Sequence, residues 1–583
     1  MEASVTQRRR DTAPYRASSI RRDAIVLEGT ATWLDNRRED PVWILPEPNG
    51  PRRNKRRELR FAYRLPDGSL LTAPENDHLY RVTKEYAVLI REGPFAISDR
   101  LSVDLHATLV SNLMSVVGWM RLNGIAAFEA LTASDIEDLS LSAAYGVATQ
   151  LNAFERLRNT FVRLIKEGKL EDLFRSRPLS RVDRSAVLRE AALPDTFLTN
   201  SETRKVIACV EAAVKAGERG DKLTAALLSL EKPKSKPVTR TELERKLRPL
   251  ADLWAARSLL KGDKLTVEPF PEGLGQIVAG LGVEVGRTPT VPVRQAMELV
   301  DASIRWMLDY ADPIIAAHET ALLLRDMARF DISDAVNLAV GQMDNVPGSA
   351  TPLALIGTVR NRSGNPLSIT LPDAVRYLAT ASLVIIATFS GRRIGEVLGL
   401  TSNCVHGNSK DGFWIRTYIE KTARRKELTP CPALVATAVE TLERLSFRAR
   451  GGDPDAEICR WAAIDANDKG QTRTLNPIAD LNNFAAVVGI SVTKNASVWH
   501  FTPHQFRRFF SIAYVWRYQL GDLGALSHHL RHTDIVATRR YVTEAAAGLL
   551  VEEEGEFTKA ILREAASGER KLGGASVRDF SAS

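Results

Sequence analysis

Apolar residues recur at helical spacing through most of the chain. Leu105, Leu109, Leu113, Val116 and Val117 mark one face of a helix over residues 105–121, and Phe154, Leu157, Phe161 and Leu164 mark another over 151–165. Between them Leu122-Asn123-Gly124 reads as a break, and Thr132 or Ser134 is placed to cap a short helix. The pattern predicts a small helical bundle. Helical spacing continues to about Leu260, interrupted by Lys232-Pro233-Lys234-Ser235-Lys236-Pro237, whose prolines and lysines predict a linker or exposed loop. Two further breaks, Gly262 to Pro292 and Gly341 to Pro352, flank a helical stretch over Val293 to Leu323. No fixed-period repeat is present, which argues against a solenoid.

Alternating patterns are fewer. From Leu59 to Tyr80 apolar and polar residues alternate around Pro66-Asp67-Gly68, which predicts a short hairpin. Trp414 to Ile419 and Glu427 to Pro430 read as extended pieces of a second hairpin, with a basic tip over Glu420-Lys421-Thr422-Ala423-Arg424-Arg425-Lys426. Ahead of it, residues 381–400 read as an apolar helix ending at Ser390-Gly391 and a second helix starting near Arg393. Pro503 is placed to begin another, with Phe506, Phe509, Phe510 and Ala513 on its buried side. The tail carries an apolar turn, Ala545 to Val551, and an amphipathic helix, Phe557 to Ala566, suited to docking on a neighbouring protomer or on its own domain.

At 583 residues the chain exceeds what one hydrophobic core accommodates, so several domains are expected. Its 44% hydrophobic and 26% charged residues are those of a globular protein. No apolar run is read as approaching the roughly 20 residues that span a bilayer, so no membrane partner is expected. Met1 to Arg22 has no apolar segment of the secretory kind, and a cytoplasmic location is expected. The four cysteines, Cys209, Cys404, Cys431 and Cys459, lack the close spacing of zinc sites or disulfide frameworks and read as reduced thiols. Net charge is +8 and the pI is near 9.2, a balance that suits a polyanion. Basic clusters at Arg8-Arg9-Arg10, Arg21-Arg22 and Arg52-Arg53-Asn54-Lys55-Arg56-Arg57 suggest a partly ordered arm, for which phosphate neutralisation and a solvated tail are competing readings.

Four segments carry candidate chemistry. In Gly391-Arg392-Arg393-Ile394-Gly395-Glu396, Arg393 and Glu396 stand three apart and share a helical face, so the carboxylate can steady the guanidinium. A surface ion pair after a glycine turn reads the same way. Lys421 sits in the hairpin tip, where lysines are ordinarily solvated. His504 and Arg507, again three apart, offer an imidazole beside a guanidinium; the bland reading is a core histidine with a surface arginine. Finally His532 precedes Tyr541 by nine residues. His528, His529 and His532 raise a metal hydrolase as an alternative, although no Glu follows His528 as a zinc-protease helix requires.

Taken in this order, Arg393, Lys421, His504, Arg507, His532 and Tyr541 resemble the active-site signature of the tyrosine recombinase, or phage integrase, family: Gly-x-Arg-x-x-Glu, a hairpin lysine, Thr-Pro-His-x-x-Arg, and Leu-Gly-His followed by Thr and Tyr. Each piece is weak, but the ordered set lies within about 150 residues. The resemblance implies a multidomain, mainly α protein with a helical core-binding bundle and a mixed α+β catalytic domain holding a small β-hairpin sheet. Together with the residue pattern it divides the chain into a basic arm over 1–90 with a candidate short hairpin, a helical SAM-like core-binding DNA domain over 91–260, an additional helical segment or linker over 261–350, a catalytic domain over 351–555 and a tail over 556–583 that is a candidate trans-docking helix, with docking in cis the alternative.

The implied chemistry is metal- and ATP-independent and needs no cofactor. Tyr541 attacks a DNA phosphate to give a 3′-phosphotyrosyl link, Arg393 and Arg507 grip the non-bridging oxygens, and Glu396 supports Arg393. Lys421 protonates the leaving 5′-oxygen, His504 assists proton removal from Tyr541, and His532 bonds the phosphate. Arg52, Arg53, Lys55, Arg56, Arg57, Arg424, Arg425 and Lys426 are the candidate DNA contacts. Implied partners are double-stranded DNA, further copies of the chain forming a homotetramer on paired sites, and accessory recombination proteins, in a mobile element or phage. A type IB topoisomerase and a non-cutting DNA-binding protein of the same fold are the alternatives. Three departures stand out: Arg531 occupies the usual glycine position, the hairpin is about a residue longer, and roughly 220 residues separate Lys169 from Arg393.

Overall fold

The computed structural model describes residues 25, 27–47, 55–92, 101–175, 181–284, 286, 289–327, 331–341, 354–356, 368–420, 423, 425–464, 470–493, 497–517 and 522–532, with scattered positions (538, 542, 555, 558–559, 562–563, 567) beyond. It is mainly helical with small sheets and divides into two compact units, the second beginning in the main at Arg287.

The first unit opens with strands β1 (Val42–Glu47) and β2 (Lys55–Arg60), which pair. Helices α1 (Asp77–Glu92), α2 (Val103–Leu122), α3 (Ala133–Ala143), α4 (Val147–Gln150), α5 (Ala153–Lys166), α6 (Arg184–Glu190), α7 (Ser201–Lys215), α8 (Gly220–Leu228), α9 (Arg240–Ala255) and α10 (Leu274–Leu281) follow. The helices expected over 105–121 and 151–165 are present as α2 and α5. Thr132 caps α3, its hydroxyl accepting from the Asp135 amide while the Asp135 carboxylate accepts from the Thr132 amide.

The hairpin lies elsewhere than expected. At Pro66-Asp67-Gly68 the chain does turn, with Leu65 N bonded to Ser69 O at 2.9 Å, but only the Arg64–Leu70 bridge forms there and Tyr80 lies inside α1. The alternation at 59–65 serves to bury Leu59, Phe61, Tyr63 and Leu65 beside Trp43 and Leu45 of β1. These residues share one core with side chains as far along as Val278. The divisions expected at residues 90 and 260 therefore fall inside a single packed unit, and α10 lies within the break expected over 262–292. Local ties agree: Tyr86 of α1 donates to Asp252 of α9 at 3.3 Å, and Arg156 of α5 donates to the carbonyls of Pro66, Ala191 and Ala192.

The second unit comprises α11 (Val293–Asp309), α12 (Ala311–Asp326), α13 (Ile332–Gly341), the parallel pair β3 (Ala354–Ile356) and β4 (Ser368–Thr370), α14 (Leu371–Ser390), α15 (Ile394–Leu398), β5 (Val405–Asn408), β6 (Gly412–Tyr418), β7 (Lys426–Cys431), α16 (Ala433–Arg450), the antiparallel pair β8 (Arg460–Ala462) and β9 (Thr472–Thr474), α17 (Ala479–Val487), α18 (Pro503–Arg517) and α19 (Leu523–His529). Helix α14 is the hub, packed by α11, α12, α16, α17 and α18. Its 20 residues are long and apolar enough to cross a membrane by length and composition, which corrects the reading that no apolar run approaches that length. Most of the helix is buried inside the protein, from Leu371 to Ser390. Because α11 and α12 pack on α14, side chains between Val291 and Val340, expected to form part of a separate segment over 261–350, belong to this core.

The expected hairpin is here as β6 and β7, with register from Phe413 opposite Cys431 to Tyr418 opposite Lys426. A third strand, β5, joins on the other side of β6; no reading of the sequence included it. Ile415, Thr417 and Thr429 face inward while Trp414, Arg416 and Leu428 are exposed, the period-two pattern of a sheet with one covered face.

Candidate active site

Helix α14 ends at Gly391, whose φ of 64° reverses the chain. A Cβ there would sit 2.9 Å from Phe510 Cδ1 and 3.0 Å from Leu530 Cδ2, so glycine is required by both conformation and space. Two residues on, Arg393 is the N-cap of α15 rather than a residue inside it. Glu396 Oε2 accepts from the Arg393 amide at 3.0 Å and Oε1 accepts from Arg393 Nη1 at 2.9 Å. The Glu396 side chain is wholly buried and that of Arg393 is 15% exposed. The carboxylate thus steadies the guanidinium as expected, through the helix N-terminus.

Helix α18 starts at Pro503 as expected, but the reading of a core histidine with a surface arginine is reversed. His504 is exposed, whereas Arg507 is completely buried. Arg507 donates from Nη1 to Gly391 O at 2.6 Å and from Nη2 to Leu530 O at 2.7 Å, and its Nη2 lies 2.8 Å from His532 Nε2. Gly391, Arg507 and His532, far apart in sequence, meet at one guanidinium. His532 Nδ1 lies 2.8 Å from Thr538 Oγ1. Burial, then the charges of Arg507, Arg393, Arg392 and His504, push the His532 imidazole down to about 4.

From the sequence Arg392 has no assigned role, and His529 enters only as a candidate metal ligand. Arg392 is 1% exposed; its Nε donates to Ser390 O at 3.3 Å and its Nη2 to His529 O. Burial lowers its guanidinium to about 9, opposed by Glu396 and assisted by Arg507, Arg531 and Arg393. His529 Nε2 lies 2.9 Å from Ser390 O and its ring stacks on Phe510 at 5.1 Å. The one local signal was the doubled arginine after a helix-ending glycine, and which of the two is buried is set by tertiary packing against Ser390 and His529.

The three histidines of the metal alternative are turned to different partners. His528 meets Arg531 at 3.0 Å, His529 the Ser390 carbonyl, and His532 Arg507 and Thr538. Among the described residues no group of three or more His, Cys, Asp or Glu is arranged for a metal ion.

Arg531 has φ 56°, a left-handed conformation costing a side-chain-bearing residue roughly 1–2 kcal/mol. Its Nε lies 2.8 Å from Glu427 Oε2, and Nη2 donates to Leu428 O at 3.2 Å. On the hairpin, Arg425 Nε donates to Glu427 Oε1 at 2.9 Å and Lys426 is exposed. Gly395 admits Glu420, whose Oε2 would lie 2.8 Å from a Cβ placed there.

Lys421, Arg424 and Tyr541 lie outside the described residues, as do Arg52, Arg53 and the side chain of Lys55. Thr538 and Val542, the nearest described residues on either side of Tyr541, are both buried. Val542 joins Leu526 and Leu530 of the α19 region in a small apolar cluster. Arg56 and Arg57 belong to β2, where Arg56 pairs with Asp35 at 2.9 Å and Arg57 lies 3.9 Å from Asp104.

No protein-family model and no curated protein matches the chain. Among solved structures it is similar to the XerH site-specific recombinase bound to difH substrate in a pre-cleavage complex, with a TM-score of 0.31 and 11% identity, over 82% of this chain and 96% of that one. It is also similar to XerH bound to palindromic difH substrate in a post-cleavage complex, with a TM-score of 0.29 and 12% identity, over 86% and 99%. Likeness at this level leaves the chemistry to be argued from the site itself.

Proposed function

We propose that the chain is a site-specific DNA recombinase of the tyrosine class, cutting and rejoining DNA through a 3′-phosphotyrosyl link to Tyr541. The observation that carries the reading is the gathering of Arg392, Arg393, Arg507 and the neutral His532 around the end of α14. Burying guanidiniums together is unfavourable unless an anion is to be met. Glu396 is the carboxylate acting on Arg392, against three arginines of like charge. A phosphodiester is the anion that suits a planar donor fork.

In the proposed step the Tyr541 oxygen forms a bond to phosphorus as the bond to the 5′-oxygen breaks. The phenol proton passes toward His504, and the 5′-oxygen takes a proton from Lys421. Reversal by a 5′-hydroxyl from a second duplex reseals the strand, so the energy of the ester is kept and no nucleotide cofactor is needed. In this reading four copies act on paired sites of a phage or other mobile element, accessory proteins assist, and the first unit, with Arg56 and Arg57, embraces the duplex.

The test uses a pool of nicked suicide duplexes with a randomised central segment. Protein-linked DNA is captured under denaturing conditions and sequenced, and the recovered sequence becomes the substrate. An adduct with the unmutated chain, absent in Tyr541→Phe, is expected; no adduct overturns the reading in favour of a non-cutting DNA-binding protein. Relaxation of supercoiled DNA without joining of two sites would instead identify a type IB topoisomerase.

A further inference from the structure

The turn that presents His532 is tied to the β6–β7 hairpin by one carboxylate. Glu427 Oε2 lies 2.8 Å from Arg531 Nε, while Oε1 accepts from Arg425 Nε at 2.9 Å. Arg531 also donates to the β7 backbone at Leu428 O, 3.2 Å away, and its Nη1 lies 3.0 Å from His528 Nε2. Exposed ion pairs contribute little, but the side chains here are only 20% and 16% exposed. Moreover Arg531 holds a left-handed backbone, φ 56°, and such strain persists only where surrounding contacts over-determine it. Two of those contacts, to Glu427 and to Leu428 O, run to the hairpin, and the one to His528 ties the turn to its own helix.

We propose that Arg531 is a positioning residue which, through Glu427, clamps the β6–β7 hairpin to the His532 turn and so sets where the hairpin connection meets the scissile phosphate. The inference rests on the recombinase reading. Tyr418 and Lys426 are the last paired residues of the two strands, so the connection between them carries Lys421, the proposed donor to the leaving oxygen. Arg425, at the end of that connection, shares the carboxylate with Arg531. With the clamp removed, phosphate gripping by Arg393 and Arg507 is retained while protonation of the 5′-oxygen falters.

Two variants test this in the full-length chain: Arg531→Gly, which removes the guanidinium and relaxes the backbone, and Glu427→Gln, which keeps the shape and removes the charge. In DNA-free protein, exchange of the Ile419 amide, bonded to Arg425 O at 3.0 Å, should quicken roughly tenfold in both, with the β8–β9 amides unchanged. On the substrate recovered from the pool, adduct formation should fall roughly a hundredfold. It should return on the same duplex with a bridging 5′-sulfur, a leaving group that needs no proton. Unchanged exchange at Ile419, or equal losses on oxygen and sulfur substrates, overturns the clamp. If the unmutated chain forms no adduct, the recombinase reading fails, and the exchange measurement still decides whether the clamp exists.

Discussion

His532 Nε2 faces Arg507 Nη2 at 2.8 Å. A guanidinium only donates, so the imidazole proton resides on Nδ1, where Thr538 Oγ1 accepts it at 2.8 Å. His532 is therefore a neutral ring with a fixed tautomer, in keeping with its titration near 4. Arg507 is held in place from three sides, by Gly391 O, Leu530 O and this ring.

Arg507→Lys keeps a positive charge but cannot span those three acceptors. At least one charge-assisted bond is lost, so unfolding free energy should fall by about 1.5–3 kcal/mol. The rate of adduct formation should drop a hundredfold to a thousandfold, as when an anion-stabilising donor is removed. Urea unfolding and a cleavage time course measure the two effects; a lysine variant as stable and as fast as the unmutated chain would remove Arg507 from the site.

Gly391→Ala acts one step back. The added methyl meets Phe510 and Leu530 at 3.0 Å or less, and the left-handed backbone disfavours any side chain. Conformation contributes about 1 kcal/mol and overpacking about 1–3 kcal/mol. The carbonyl that anchors Arg507 shifts as well, so cleavage should weaken even where the variant remains folded. Full activity in a folded Gly391→Ala protein would show that this anchor is dispensable.

Much of this arrangement was legible in the sequence, because helices and their stops are written locally. A cap at Thr132 or Ser134 was narrowed to two residues, of which the structure uses Thr132, while Gly391 as a stop and Pro503 as a start follow from side-chain chemistry at single positions. So does the β6–β7 pairing, from alternation on either side of a polar turn. Burial was not legible. Whether His504 or Arg507 faces inward depends on what α14 and α19 bring to α18, and the apolar stripe of α18 did not reveal that the core would accept a guanidinium. Nor could the alternation at 59–65 distinguish a hairpin at Gly68 from the edge of the β1–β2 pair, since both bury the same side chains.

Glu396→Gln should cost about 3 kcal/mol, because it leaves buried guanidiniums without their counter-charge. Arg393 loses its ion pair and Arg392 the one carboxylate found to favour its charged form. A bound phosphate opposes the same repulsion, so the stability lost by the variant should be partly recovered with the recovered duplex present. Denaturant midpoints with and without that duplex measure this. Equal midpoints for variant and unmutated chain in the absence of DNA would mean that the cluster is not under electrostatic strain.

The second unit should lose stability on mild acidification before ordinary carboxylates titrate. Burial first, and then neighbouring arginines, push His529 and His532 down to about 4; burial does the same to His318. In the unfolded chain each titrates near 6.5. The native state therefore refuses protons that the unfolded state accepts: the stabilisation is complete above about 6.5 and is lost as pH falls toward 4. Each histidine adds a slope of up to about 1.4 kcal/mol per pH unit inside that window. Asp480 and Glu319, raised by burial, act in the opposite sense from the carboxylate end of the scale, so the upper part of the window belongs to the imidazoles. His318 is the cleanest probe, since its Nε2 donates to Ala462 O at 3.0 Å, a bond a glutamine amide can replace. Urea midpoints of His318→Gln should fall less steeply than those of the unmutated chain between about pH 6.5 and 5. Parallel lines for the two proteins would mean that His318 takes up its proton without unfolding.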